Sequence, residues 1–245
     1  LNKLLMLDQV FHATPNVGID TFFLLIILVA LEAVLSADNA IALAAIAKSL
    51  ENPKLQRQAL NFGLIAAFVL RALLIVTATW VIRYWQFELL GALYLLWLTA
   101  KYFWDKEEEA KEGHHEPRYT SLLQVVPIIA VTDLAFSLDS VTTAIALSKE
   151  IWLVLAGGTI GIITLRFMAG LFIRWLDEFV YLEDAGYITV ALVGLRLLAR
   201  VINPDLVPPE WLMLSLIAAL FVWGFSKRTV SPLEEELRES QKTAD

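Results

Sequence analysis

The sequence predicts an all-α polytopic membrane protein, and three observations predict it. Hydrophobic residues make up 58% of the 245 residues, mean hydropathy is +0.64, and only 18% of residues are charged, well away from a soluble domain. The chain divides into seven apolar runs separated by polar linkers. Inside those runs one frame of polar residues occurs twice, about a hundred residues apart.

Residues 1–19 mix apolar and polar positions around Phe11, His12 and Pro15 and are too short to span a bilayer, so they are expected to lie at the interface. Leu1–Phe11 does not read as a cleavable signal peptide, although a leader preceding Leu1 stays open. Seven spans are expected at 20–47, 58–82, 88–104, 120–147, 151–176, 185–202 and 210–226, each near the roughly 17–25 residues that a bilayer requires. The linkers carry the prolines and charge runs: NPKLQR at 52–57, WDKEEEAKEGHHEPR at 104–118 and NPDLVPPEW at 203–211. Residues 227–245 read as a soluble tail forming a frayed helix.

Composition also excludes function classes. With no Cys and three His there is neither a thiolate site nor material for a zinc-enzyme centre, so any metal must be held by oxygen ligands. The net charge of −7 argues against a nucleic-acid partner, and residues 105–118 alone hold six acids against three bases. No chemical enzyme and no organic cofactor are expected.

The repeated frame is LEAVLSADNA (31–40) and TDLAFSLDSV (132–141). At an offset of 101, Glu32 falls on Asp133, Ser36 on Ser137, Asp38 on Asp139 and Asn39 on Ser140. At an offset of 95, Gly63 matches Gly158, Arg71 Arg166, Trp80 Trp175, Glu88 Glu183, Gly91 Gly186 and Lys101 Arg196. The expected organisation is therefore a first three-helix repeat at 20–104, a charged cytoplasmic loop at 105–119, a second repeat at 120–202, a seventh helix within 203–226 and the tail. Three helices per repeat is an odd number, so the second copy enters from the opposite side and the repeats are inverted. Twelve Lys and Arg fall in linkers on one side (48, 54, 57, 101, 106, 111, 118, 174, 227, 228, 238, 242) and five on the other (3, 83, 149, 196, 200). That bias places the N-terminus outside and the C-terminus in the cytoplasm.

Charged side chains in mid-bilayer are tolerated where they face a cavity or a partner. Glu32, Asp38, Asp133 and Asp139 face only two intramembrane bases, Arg71 and Arg166, so a core with all six ionised keeps a charge of −2, which one divalent cation neutralises. Six residues along an intact helix separate Glu32 from Asp38 by about 9 Å and 120°. One ion gripped by both therefore favours local unwinding near Ser36–Asn39 and Ser137–Ser140. Arg71 and Arg166 read as counter-ions or as a gate, and Ser36 and Ser137 as ligands or as interhelical glue. His114 and His115 read as a solvated loop or a metal-gathering mouth. Trp80, Tyr84, Trp85, Tyr102, Trp104, Trp152, Trp175 and Trp211 read mostly as interfacial anchors, and Gly63, Gly157, Gly158 and Gly161 as points of close helix approach.

The pairing of LEAVLSADNA with TDLAFSLDSV resembles the TerC family of integral membrane proteins over most of the chain. The resemblance implies a transporter of inverted three-helix repeats, related to LysE-type exporters and associated with manganese export and tellurium resistance. It places the metal-binding motif on Glu32, Asp38 and Asn39 and on Asp133, Asp139 and Ser140. Some plastid and cyanobacterial relatives are linked to thylakoid protein assembly, so two function classes stand. One is an exporter of Mn²⁺, with Ca²⁺ as the alternative ion, in a bacterial plasma membrane or thylakoid membrane. The other is an assembly or scaffold factor with a structural polar core. The bilayer and the cation are the expected partners, and a homodimer is compatible with the sequence.

Overall fold

The computed structural model describes residues 19–112, 119–148 and 150–229; the interfacial segment, His114 and His115, and the tail beyond 229 lie outside the described residues. The described residues form seven α-helices: α1 Ile19–Lys48, α2 Pro53–Val81, α3 Trp85–Glu112, α4 Leu122–Leu147, α5 Ile151–Glu178, α6 Leu182–Ile202 and α7 Glu210–Gly224. All seven expected spans are helical. By length and composition α2, α4, α5 and α6 are fit to cross a bilayer, whereas α7, apolar but for Glu210 and Ser215, has only fifteen residues.

Local chemistry moves several boundaries from their expected places. Asn52 accepts a hydrogen bond from the Lys54 amide at 2.9 Å and Pro53 takes the first helical position, so α2 starts in the supposed linker. At the other end, α3 runs eight residues past 104 into what the sequence suggested was loop. Glu107–Lys111 at 2.8 Å and Trp104–Glu108 at 2.8 Å are i,i+4 pairs that hold this charged extension helical. Ser121 caps α4 through the Leu123 amide at 3.2 Å.

Helices adjacent in sequence are not the main packing partners. The most extensive contacts join α1 to α5, α2 to α4 and α3 to α6, with lesser ones between α2 and α5, α1 and α4, α1 and α6, and α3 and α4. Exchanging the first three helices with the next three leaves this set of pairings unchanged. Arg200 approaches Glu88 while Lys106 pairs with Asp184, so α3 and α6 run antiparallel. Asn61 meets Arg166 while Arg71 lies on Gly158, so α2 and α5 do too.

Small residues make the interlacing tight. Ala40, Ala42, Ala44, Ala45 and Ala47 of α1 are fully buried, Ala42 beside Ala135 and Phe136 and the other four in one cluster with Leu60, Ile129, Leu165 and Leu182. A Cβ on Gly63 of α2 would stand 2.6 Å from Ile129 Cγ2 of α4, and one on Gly91 of α3 2.7 Å from Leu138 Cδ1. The perimeter is the reverse of a soluble surface, with Phe62, Ile65, Leu73 and Val76 of α2 and Ile163 and Phe167 of α5 exposed. Trp80, Tyr84, Trp85 and Trp211 are exposed near helix ends, as interfacial anchors require, and Trp104 is exposed eight residues before the end of α3. Tyr102 is not one of them: it is buried, stacked on Tyr187 at 3.7 Å, and donates to Asp184 at 2.7 Å.

Candidate functional site: a buried polar frame between the two halves

Both copies of the frame lie inside unbroken helices, α1 and α4. The expected unwinding is therefore corrected. Neither motif contains Gly or Pro, and the α4 hydroxyls are satisfied within the helix: Ser137 donates to the Asp133 carbonyl at 2.7 Å, Thr142 to Leu138 at 2.6 Å and Thr143 to Asp139 at 3.0 Å. Such back-bonds offer the polar residues a partner without breaking the helix.

On α4 the frame turns inward. Asp133, Ser137, Asp139 and Ser140 are all buried, as are Ser36 and Asn39 on α1. Glu32 and Asp38 occupy helical positions on α1, and their side chains lie outside the described residues. α1 packs on α4, and Ala42, one turn beyond Asp38, belongs to the same apolar cluster as Ala135 and Phe136. Thr132, beside the frame, lies 2.9 Å from the Tyr94 hydroxyl of α3.

Asp133 and Asp139, the two frame acids whose side chains are described, are both held by arginine. Arg71 Nη2 of α2 lies 3.2 Å from Asp133 Oδ1, with the arginine 2% and the aspartate 0% exposed, so the pair is sealed from solvent and joins the two halves. Ser137 Oγ stands 3.4 Å from the other carboxylate oxygen. Asp139 is held from α6: Arg196 Nη1 lies 2.8 Å from Oδ2, and Arg200 Nη2 contacts Oδ1. Beyond them Arg196 Nη2 is 3.6 Å from Glu210 Oε1 and Arg200 Nη1 is 4.0 Å from Glu88 Oε1, so four helices meet at this end.

These contacts correct two expectations. Arg166, the repeat partner of Arg71, pairs with no acid among the described residues; its Nε donates to Asn61 Oδ1 at 2.6 Å on the α2–α5 surface. The count of four acids against two bases also falls, because Arg196 and Arg200 were assigned to a loop yet lie mostly buried against Asp139. Their signal was present in the sequence. Arg196 lies in repeat register with Lys101, and Arg196 and Arg200 are spaced i,i+4, one face of a helix. Lys101 itself stands over the rings of Trp97 and Tyr119 at 5.6 and 5.5 Å.

As a donor set the frame is all oxygen, carboxylate, hydroxyl and amide, which suits hard divalent cations. Among the described residues no three acids or histidines converge as a ready-made metal cluster. Ser36 Oγ, with the residue 1% exposed, has no hydrogen-bond partner among the described residues, leaving one buried oxygen of the α1 frame uncommitted.

Fold and frame together define a polytopic α-helical integral membrane protein with ionisable groups enclosed in its bundle. Residues 17–231 match the family described as integral membrane protein TerC family, and the chain belongs to that family. It is 35% identical over 201 residues to the membrane protein YceF of Bacillus subtilis, covering 80% of this chain and 77% of YceF. It is 32% identical over 192 residues to YkoY of the same organism, covering 71% of this chain and 59% of YkoY. Similarity extends to the thylakoid membrane protein TERC of Arabidopsis thaliana, 24% identical over 197 residues, 69% of this chain and 51% of that protein. No solved structure matches the chain.

Proposed function

We propose that the protein carries a divalent cation, Mn²⁺ first and Ca²⁺ as the alternative, out of the cytoplasm through the polar frame of α1 and α4. The observation that carries this reading is the frame itself: six polar residues of matching spacing, all buried, on two continuous helices from opposite halves, with Ser36 Oγ lacking a hydrogen-bond partner among the described residues. A purely structural core has no need of an unsatisfied buried hydroxyl, which costs about 1–3 kcal/mol. In this reading Asp133, Asp139, Ser140 and Asn39, with Glu32 and Asp38, supply oxygen ligands and Ser36 and Ser137 add hydroxyls. Arg71 compensates Asp133 whenever the ion is elsewhere. Equivalent helices running in opposite directions suit alternating access, in which one three-helix half rocks against the other and exposes the frame to each side in turn.

One observation favours the rival class of assembly or scaffold factor: both described acids already have arginine partners, as a closed structural network would. Mn²⁺ binding to the detergent-purified chain separates the two. A carrier is expected to gain thermal stability with rising Mn²⁺, and Asp133→Asn and Asp139→Asn are each expected to abolish both that gain and Mn²⁺ flux in proteoliposomes. A chain whose melting temperature ignores Mn²⁺ and Ca²⁺, and whose vesicles move neither, is not a carrier of them.

A further inference from the structure

We infer that Arg196 and Arg200 are a tethered counter-cation that occupies Asp139 in place of the transported ion and must be displaced before Asp139 can bind it; this rests on the carrier reading above. Both arginines leave the same face of α6, four residues apart, and each takes its own oxygen of one buried carboxylate. Oδ1 accepts no hydrogen bond, but Arg200 stands in ion contact with it as Arg196 does with Oδ2, so a guanidinium group covers each oxygen and the two together repel an arriving cation. Asp139 in this arrangement is closed to the ion.

The same geometry supplies the open arrangement. Each arginine has a second carboxylate just beyond hydrogen-bond reach, near its other terminal nitrogen: Glu210 at the start of α7 for Arg196 Nη2, at 3.6 Å, and Glu88 at the start of α3 for Arg200 Nη1, at 4.0 Å. Small side-chain rotations shift each arginine wholly onto its second partner, so Asp139 is released without leaving a bare guanidinium in a low-dielectric place. Exchange between two carboxylates is less costly than full separation of a buried pair.

Nothing equivalent stands at the opposite end among the described residues. The repeat register places Lys101 at the position of Arg196 and Asp105 at that of Arg200, an acid where the other half has a base. Lys101 rests over Trp97 and Tyr119, and Lys106 pairs with Asp184 rather than with a frame acid. Among the described residues the arginine pair thus stands at one mouth. The positive-residue bias puts that mouth outside, where re-engagement of Asp139 as the ion departs lowers the affinity of the outward-facing site and hinders return.

Competition gives two groups of variants opposite signs. Isothermal titration of the purified full chain with Mn²⁺ is expected to show Arg196→Gln/Arg200→Gln binding about tenfold or more tighter than wild type, since a competitor equivalent to one such factor has been removed. Arg200→Lys is expected to stay close to wild type. Glu88→Gln and Glu210→Gln, which remove the second acceptors, are expected to bind more weakly, because the arginines have nowhere to go. If the arginines merely support the fold, both groups weaken binding together, and that result overturns the inference. Unchanged affinity in the arginine variants beside clear wild-type binding also overturns it, while leaving the carrier reading intact. Absence of binding in wild type and all variants overturns the carrier reading and the inference with it. Should the double arginine variant fail to fold, the exposed Glu210→Gln decides: equal or tighter binding than wild type refutes the exchange.

Discussion

Arg71→Met tests whether the buried pair between α2 and α4 is an energetic joint between the halves. Arg71 is among the largest fully buried side chains, and its stem lies against Gly158 of α5, where a Cβ would be 3.6 Å from Arg71 Cδ. Met replaces much of the aliphatic stem and removes the guanidinium, so the main loss is electrostatic. Among the described residues Asp133, at 0% exposure, then keeps the Ser137 hydroxyl alone near its carboxylate. Removing one member of a buried pair costs about 3–5 kcal/mol, because the survivor remains desolvated. At about 2–4 °C per kcal/mol for a chain of this size, the melting temperature is expected to fall by about 6–20 °C. Thermal denaturation in detergent, followed by tryptophan fluorescence and by size exclusion, measures it. The double variant Arg71→Met/Asp133→Asn also removes the charge that the single variant strands on Asp133 and is expected to recover a large part of the loss. A single variant within about 2 °C of wild type, or a double variant no more stable than the single, would refute the reasoning.

Gly63→Ala is expected to cost about 1–3 kcal/mol by driving a methyl into Ile129, and Ile129→Ala in the same chain is expected to relieve it. Its repeat partner Gly158 meets nothing closer than 3.6 Å, so Gly158→Ala is expected to stay within about 0.5 kcal/mol; equal losses at both positions would contradict the packing described. Tyr102→Phe removes the hydrogen bond to Asp184 and keeps the stack on Tyr187, for a loss of about 1 kcal/mol in chemical denaturation. For orientation, single cysteines at the exposed positions Glu51 and Asp205 of this Cys-free chain report on opposite ends of the bundle. An impermeant thiol reagent outside intact cells is expected to label Asp205→Cys alone, and labelling of Glu51→Cys instead would invert the assignment.

The helical membrane fold was legible in the sequence because apolar runs of bilayer length have few alternatives: in hydrocarbon every backbone group must be satisfied within its own segment. The frame was legible for a related reason, since Asp133 and Asp139 interrupt a run where each polar residue is costly, and repetition of their spacing at Glu32 and Asp38 marks the positions that bear that cost. Boundaries were less legible. The extension of α3 to Glu112 depends on i,i+4 pairs that outweigh the loop-like composition of DKEEEAKE. Partner choice was decided by tertiary structure alone. Repeat symmetry treats Arg71 and Arg166 as equals, yet Arg71 is sealed on Asp133 while Arg166 turns outward to Asn61. Charge counting by linker sends Arg196 and Arg200 to the surface, yet from α6 both side chains reach Asp139 of α4. Periodicity fixes which residues share a helix face, but which face meets which depends on how closely the helices approach. That is set by small residues, Gly63 against Ile129 and Gly91 against Leu138, whose contacts exist only once the chain is folded.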